Sequence, residues 1–191
     1  RFTISVTDDE ANERTRIRIR IWQDGEQEPA DYQFDAYDDS DVRIRSGTIG
    51  LWSTGSGHKH FDHLQLFRHD YLTHADGADL AQWVSTTGDY KRNTRDGLFA
   101  LLPDPKTTGE NVVGTVEDGW DIHTHYAPTA ASSPDISDDW TDPAVLGWNN
   151  YVYTGRLYLD KLPETDHSVG VTFYSQFPDN ENNHNLYYRL D

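Results

Sequence analysis

Residues 47–66 read GTIGLWSTGSGHKHFDHLQL, two apolar stretches joined by a glycine-rich turn. Alternation along a strand sends Leu64 and Leu66 to one face, so both point into a core. Gly47 and Gly50 permit close approach of another strand, and Asp62 can accept from backbone donors where its strand begins. The turn GSGHKH (55–60) is not a phosphate loop. That loop needs G-x-x-x-x-G-K-[ST] between a strand and a helix, and here His58 intervenes and a strand follows. The expectation is a flexible hairpin tip between two strands.

Working outward, almost every periodic stretch has period two. In RFTISVT Phe2, Ile4 and Val6 share a face; in RIRIRIW Ile17, Ile19 and Ile21 share one while Arg16, Arg18 and Arg20 line the other. The acidic turn DDEANE joins these two strands as a hairpin. DYQFDAY follows, with Tyr32, Phe34 and Ala36 on one side and Gln33, Asp35 and Tyr37 on the other. A short helical turn is expected around Leu80–Val84, then strands in LFALL, VVGTV and WDIHTHY. Three further strands close the chain, WNNYVYTGRLYL, SVGVTFYSQ and NLYYRL, the last two joined across FPDNENNH. No internal repeat is evident. The pattern predicts an all-β fold, an antiparallel sandwich or barrel.

Composition narrows the function. Six Trp and eleven Tyr supply a core for one domain within 191 residues. The 33 acidic residues against 16 basic give a net charge of −17, which repels nucleic acid and anionic membranes alike. Such charge suits a saline or calcium-containing exterior, so an extracellular or cell-surface setting is expected. Without cysteine there are no disulfides and no thiolate sites. No apolar run approaches the ~20 residues of a membrane-spanning helix. A chain that starts at Arg1 reads as processed or as a piece of a longer one.

The opening stretch resembles the C-terminal signature of concanavalin A-like lectin/glucanase (laminin-G-like) sandwich domains. Gly47, Gly50 and Leu51 match their G-x-I-G-L strand, and Phe61, Asp62, Leu64 and Leu66 their closing F-D-x-L-x-L strand. Residues 148–190 resemble the opposite part of such a domain, through W-x-x-Y-x-Y-x-G-R-L, G-V-T-F-Y-S and L-Y-Y-R-L. The resemblance implies a jelly-roll sandwich in rotated order. Residues 1–68 would be its C-terminal strands and 69–191 its N-terminal strands, together about one domain. A sheet cut between strands exposes unpaired backbone and an apolar face. Either the two parts close on each other as a permuted sandwich, or each is completed by strands from a neighbouring copy.

Candidate sites follow from clustered chemistry. Acidic loops predict structural calcium, with Asp8 and Asp9, Asp38, Asp39 and Asp41, Asp138 and Asp139, and Asp179 and Glu181 as ligands. Zinc on the His-x-His of WDIHTHY is the weaker metal reading, because no spacing identifies a third ligand. Trp120, Trp140, Trp148, Tyr151 and Tyr153 are candidates for a sugar-stacking platform, with core burial as the alternative. The Arg16, Arg18, Arg20 ladder pairs internally with Asp35 or with a neighbouring copy, or else binds an anionic polysaccharide. The stretch around Ile122 and His123 is also loosely similar to the Q-I-H strand of alginate lyase-like jelly rolls, which implies a His123 and Tyr126 pair for β-elimination. Asp121 replaces the Gln there and would repel a uronate.

The functional expectation is a non-catalytic, calcium-stabilised structural or adhesive sandwich that associates with other copies of itself. A carbohydrate-binding module is the second expectation, and a polysaccharide lyase or hydrolase the third. Fold analogy alone carries the sugar readings.

Overall fold

The alternation at the front of the chain produces the expected hairpin. Strand β1 (Phe2–Asp9) pairs antiparallel with β2 (Arg14–Ile21) around a short 3-10 turn, Phe2 opposite Ile21 and Asp9 opposite Arg14. A computed structural model describes residues 1–55, 57–68, 71–74, 83–86, 100–115, 122–126, 148–159, 168–176 and 186–191. Beyond the first hairpin the strands are β3 (Phe34–Asp38), β4 (Thr48–Thr54), β5 (Lys59–Arg68), β6 (Tyr71–His74), β7 (Trp83–Thr86) and β8 (Ala100–Pro103). They continue as β9 (Asn111–Thr115), β10 (Ile122–Tyr126), β11 (Tyr151–Leu159), β12 (Ser168–Gln176) and β13 (Leu186–Leu190).

Two antiparallel sheets result. The larger runs β3-β2-β1-β11-β5-β9-β8 with β6 also on β5, and the smaller runs β13-β12-β4-β10-β7. Their inner faces share one core: Phe2, Ile4, Val6, Ile17, Ile19, Leu64, Leu66, Tyr151 and Tyr153 from the larger sheet meet Ile49, Leu51, Tyr126, Val171, Phe173 and Tyr174 from the smaller. The fold is an all-β antiparallel sandwich. Among the described residues no helix is long and apolar enough to cross a membrane.

Three expectations need correction. Strands β4 and β5 lie in different sheets, so the GSGH turn is an arch carrying the chain across the sandwich and not a hairpin tip. Gly55 and Gly57, at φ 75° and 96°, supply the left-handed backbone this crossing uses. Around Leu80–Val84, the described end is strand: Trp83 and Val84 pair with β10 as part of β7. The run Trp-Val-Ser-Thr is aromatic and β-branched, which favours the pleated state over a helical turn. Finally, Trp148 and Tyr151 belong to the core.

The strand topology closes the two parts of the chain on each other. Strand β11 enters the larger sheet between β1 and β5, and β12 lies beside β4 in the smaller one. Front and rear segments therefore complete each other within one chain, and the glycines of the opening stretch serve this closure. Gly47 donates its N–H to the Trp148 carbonyl at 2.9 Å. Gly155 faces a bulge at His63–Leu64, where a Cβ would lie 2.7 Å from Leu64 Cδ2 and from Phe2 Cε1. A second bulge sets Phe173 and Tyr174 together opposite Ile49, so that both consecutive rings are buried.

Tyrosine hydroxyls tie the loops to this core. Tyr151 Oη accepts from Tyr174 N at 2.7 Å, and Tyr174 Oη accepts from Asn150 N at 3.0 Å. Tyr188 Oη accepts from Ile44 N at 3.2 Å and donates to Asp38 Oδ2 at 2.5 Å. Burial pushes the Tyr174 hydroxyl up to about 12. Burial also pushes Tyr188 well above its ordinary range, and the Asp38 carboxylate adds to the effect. A raised folded pKa means stability that is whole below the unfolded tyrosine value of about 10 and lost as pH rises through the folded value. Far-UV circular dichroism should hold to about pH 10 and collapse as pH approaches 12, together with phenolate absorbance. A fold that survives with every tyrosine ionised contradicts the network.

Candidate functional site

The outer face of the larger sheet is fixed by the same alternation that builds the core. With Ile17 and Ile19 inward, Arg16, Arg18, Arg20 and then Trp22 face outward; with Leu64 and Leu66 inward, Gln65 and Phe67 face outward. Thr3 on β1 and Val152 and Thr154 on β11 floor the space between them. The result is a groove of about 490 Å³, walled by Trp22 and Phe67, with Thr3, Glu28, His63 and Gln65 presenting polar atoms.

Its polar groups are held in place. Glu28 Oε1 accepts from Thr3 Oγ1 at 3.2 Å and from Arg20 Nη1 at 2.8 Å. His63 sits at the β5 bulge with φ 52°, its Nδ1 2.6 Å from Asp62 Oδ2. Asp62 is in turn bound by Arg156 Nη2, which also reaches Asp104 Oδ2 at 3.2 Å, while Arg156 Nη1 lies 3.4 Å from Asp24 Oδ2. The Arg1 guanidinium beside Asp24 holds that carboxyl below the usual carboxylate range. Burial opposes ionisation of Asp104, yet the Lys106 N–H, the Thr107 hydroxyl and Arg156 outweigh it and lower its pKa. One buried arginine thus gathers three carboxylates.

The arginine ladder is occupied from within the chain. Arg16 binds Asp35 through two bonds of 2.9 and 2.6 Å, as the sequence suggested. Arg18 Nη2 donates to Ser5 Oγ at 3.0 Å, and Arg20 holds Glu28. Tyr32 stacks under Arg18 and Arg20 at 4.6 and 4.2 Å, and Tyr37 under Arg14 and Arg16 at 4.1 and 5.4 Å.

The aromatic platform is not assembled from its described members. Trp148 and Tyr151 are 4% and 2% exposed and Tyr153 is fully buried, so none offers a ring face to a sugar. Trp120 and Trp140 lie outside the described residues. Tyr126 is also buried, 6.0 Å from the Trp148 ring, which removes it as an accessible proton donor or acceptor. His123 lies on β10, in register between Trp52 and Thr86.

Of the acidic residues expected to hold metal, Asp8 is buried 3.5 Å from the Arg43 guanidinium, Asp9 accepts from Asn12 and Arg14, and Asp38 accepts from Tyr188. Asp39 and Asp41 are exposed. Asp138, Asp139, Asp179 and Glu181 lie outside the described residues. Among the described residues no three His, Asp or Glu side chains converge as a metal site requires.

A second opening lies at the side of the sandwich, where β2 and β3 part from β13. It is an apolar cleft of about 640 Å³ lined by Ile17, Ile19, Ile21, Phe34, Phe173 and Leu190. Ile21 and Phe34 remain 51% and 49% exposed there. No protein family, curated protein or solved structure matches the chain. The reading of function therefore rests on these residues alone.

Sequence reasoning missed the groove. Trp22 and Phe67 were in reach, since extending the strand alternation by one residue puts each on the outer face. Glu28 and the bulged His63 depend on loop and bulge geometry that alternation does not encode.

Proposed function

We propose that this chain is a non-catalytic structural or adhesive β-sandwich, of the concanavalin A-like kind in rotated order, that associates with other copies of itself. The observation that carries the reading is the exposed apolar surface of Ile21 and Phe34, at the open edge of a sandwich whose two sheets are otherwise completed by opposite ends of the chain. The apolar cleft beside the edge strands β3 and β13 adds support, since exposed Ile21 and Phe34 gain by being covered. An extracellular or cell-surface setting fits the charge of −17, because salt or bound cations there screen repulsion between copies. Light scattering coupled to size exclusion tests it: several copies per particle are expected, more at high salt than at low. Single copies at every concentration and ionic strength would sink the reading.

Calcium belongs to the same proposal, supported by the acidic turns. Calcium added to chelator-treated protein should raise the melting temperature by several degrees, as a ligand of the native state does. An unchanged melting curve removes calcium from the account.

The groove supports a second reading, a carbohydrate-binding module. Two aromatic walls and fixed polar groups suit a ligand with apolar faces and a hydroxylated edge. A glycan array should retain the protein on neutral oligosaccharides, with retention lost in Trp22→Ala and kept in Arg45→Ala. An array with no retained sugar would eliminate this reading.

A further inference from the structure

The groove on the larger sheet has a direction. Its floor is two strands wide, with Thr3 on β1 and Val152 and Thr154 on the adjoining β11, and the strands outside them are β2 and β5. Three strand spacings put the flanking backbones about 14 Å apart. On the β5 side His63, Gln65 and Phe67 line the wall in succession, a length of about 13 Å along the strand. Opposite them Trp22 is pinned by two bonds to Arg1, one of 3.1 Å from its own backbone N–H and one of 2.7 Å from the Arg1 amine to its carbonyl. A trough of that length exceeds one sugar ring, so it suits a linear chain laid along the strands.

Charge narrows the kind of chain. The nearby cations are already matched within the protein: Arg1 by Asp24 at 2.6 Å, Arg20 by Glu28 at 2.8 Å, and Arg156 by Asp62 and Asp104. Glu28 itself lines the groove, in a chain of net charge −17. An acidic sugar would meet repulsion there and a neutral one would not.

His63 is fixed both by its backbone and by its ring. Asp62 accepts from the His63 N–H at 2.7 Å through Oδ1 and from ring Nδ1 at 2.6 Å through Oδ2, and Arg156 holds Asp62 in turn. The His63 backbone is left-handed at φ 52°, an uncommon state for a residue with a side chain. Yet that side chain is 56% exposed, so the support does not serve burial. A carboxylate only accepts, which places the ring proton on Nδ1 and leaves Nε2 of the neutral imidazole as an acceptor. Backbone strain spent on holding an exposed acceptor at the wall of a groove marks a binding residue.

We propose that the groove binds a stretch of a linear neutral glycan laid along β1 and β11, and that His63 Nε2 fixes it by accepting a hydroxyl. This rests on the carbohydrate reading of the groove and names its ligand class and a specificity-determining residue.

The full chain is titrated by calorimetry with cellohexaose, laminarihexaose and mannohexaose, and with hexagalacturonate as the acidic control. At least one neutral hexaose should bind, the acidic one should not, and Trp22→Ala should abolish binding. Glycine and asparagine both tolerate the left-handed backbone, so His63→Gly and His63→Asn should keep the wild-type melting curve. Their affinity should fall about tenfold, the share of one hydrogen bond. In protein carrying isotope-labelled histidine, the His63 Nε2 resonance should move upfield on saturation with that hexaose, as a nitrogen lone pair does on taking a hydrogen bond.

If no hexaose binds, or if binding survives Trp22→Ala, the carbohydrate reading of the groove and this proposal fall together. Preference for hexagalacturonate overturns the neutral class. If a neutral hexaose binds through Trp22 while both His63 variants match wild type and Nε2 stays in place, the carbohydrate reading stands and the role of His63 is overturned. Should either variant lose stability, the Nε2 resonance of the wild-type protein decides alone.

Discussion

Gly47→Ala should destabilise the protein by about 3–5 kcal/mol, combining backbone strain of roughly 1–3 kcal/mol with overpacking of similar size. Gly47 has φ 152°, and a Cβ there would lie 2.4 Å from the Tyr174 carbonyl carbon and 2.6 Å from the Ser175 oxygen. These are backbone atoms of the β12 bulge, so no side chain can rotate out of the way. The same residue anchors Trp148 through its N–H, which places the substitution at the seam between the front of the chain and its tail. For a chain of this size the loss corresponds to a drop in melting temperature of about 10 °C. Urea denaturation measures it directly. A change below about 1 kcal/mol would mean that the tail does not pack against the Gly47 backbone as described.

Arg156→Leu is the second large effect, at about 3 kcal/mol, in line with removing one partner from a buried ionic cluster. Arg156 has a side chain only 10% exposed, and its loss leaves Asp62 and Asp104, 15% and 3% exposed, without the guanidinium they share. Asp24 contributes less because it is a third exposed and keeps Arg1. The sign with pH follows from the lowered pKa values of Asp24 and Asp104. Their stabilising contribution is whole above the unfolded carboxylate value near 4 and is lost as pH falls through the folded values. The difference between wild type and Arg156→Leu should therefore be largest at neutral pH and shrink towards pH 3. Arg156→Lys should recover only part, since an ammonium cannot reach several carboxylates with a planar fork. A pH-independent difference would point to lost packing by the arginine stem and away from the charge cluster.

Much of this was legible in the residues. Period-two alternation placed Phe2, Ile4, Val6, Ile17 and Ile19 inward, paired Arg16 with Asp35, and put Leu64 and Leu66 in the core. It failed where the pleat is interrupted. Strict alternation in SVGVTFYSQ turns Phe173 and Tyr174 to opposite faces, whereas the bulge, with Tyr174 at φ 49°, buries both. A glycine-rich turn serves a hairpin and an arch equally well, so GSGH did not disclose that β4 and β5 belong to different sheets. Trp148 and Tyr151 could stand in a core or on a platform, because aromatic content does not specify a face. The stretch GTIGLWSTGSGHKHFDHLQL did disclose that the front of the chain needs completion. Which segment completes it is a matter of long-range pairing that no local pattern encodes.

The central claim is that β11 stands in the middle of the larger sheet, and amide hydrogen exchange resolved by residue tests it most directly. Tyr151–Leu159 should exchange among the slowest segments, with Thr48–Thr54, while the edge strand Phe34–Asp38 exchanges fast. If Tyr151–Leu159 exchanged as fast as the edge while β1 and β5 stayed protected, the front segment would be folding without its tail, and the account would be wrong.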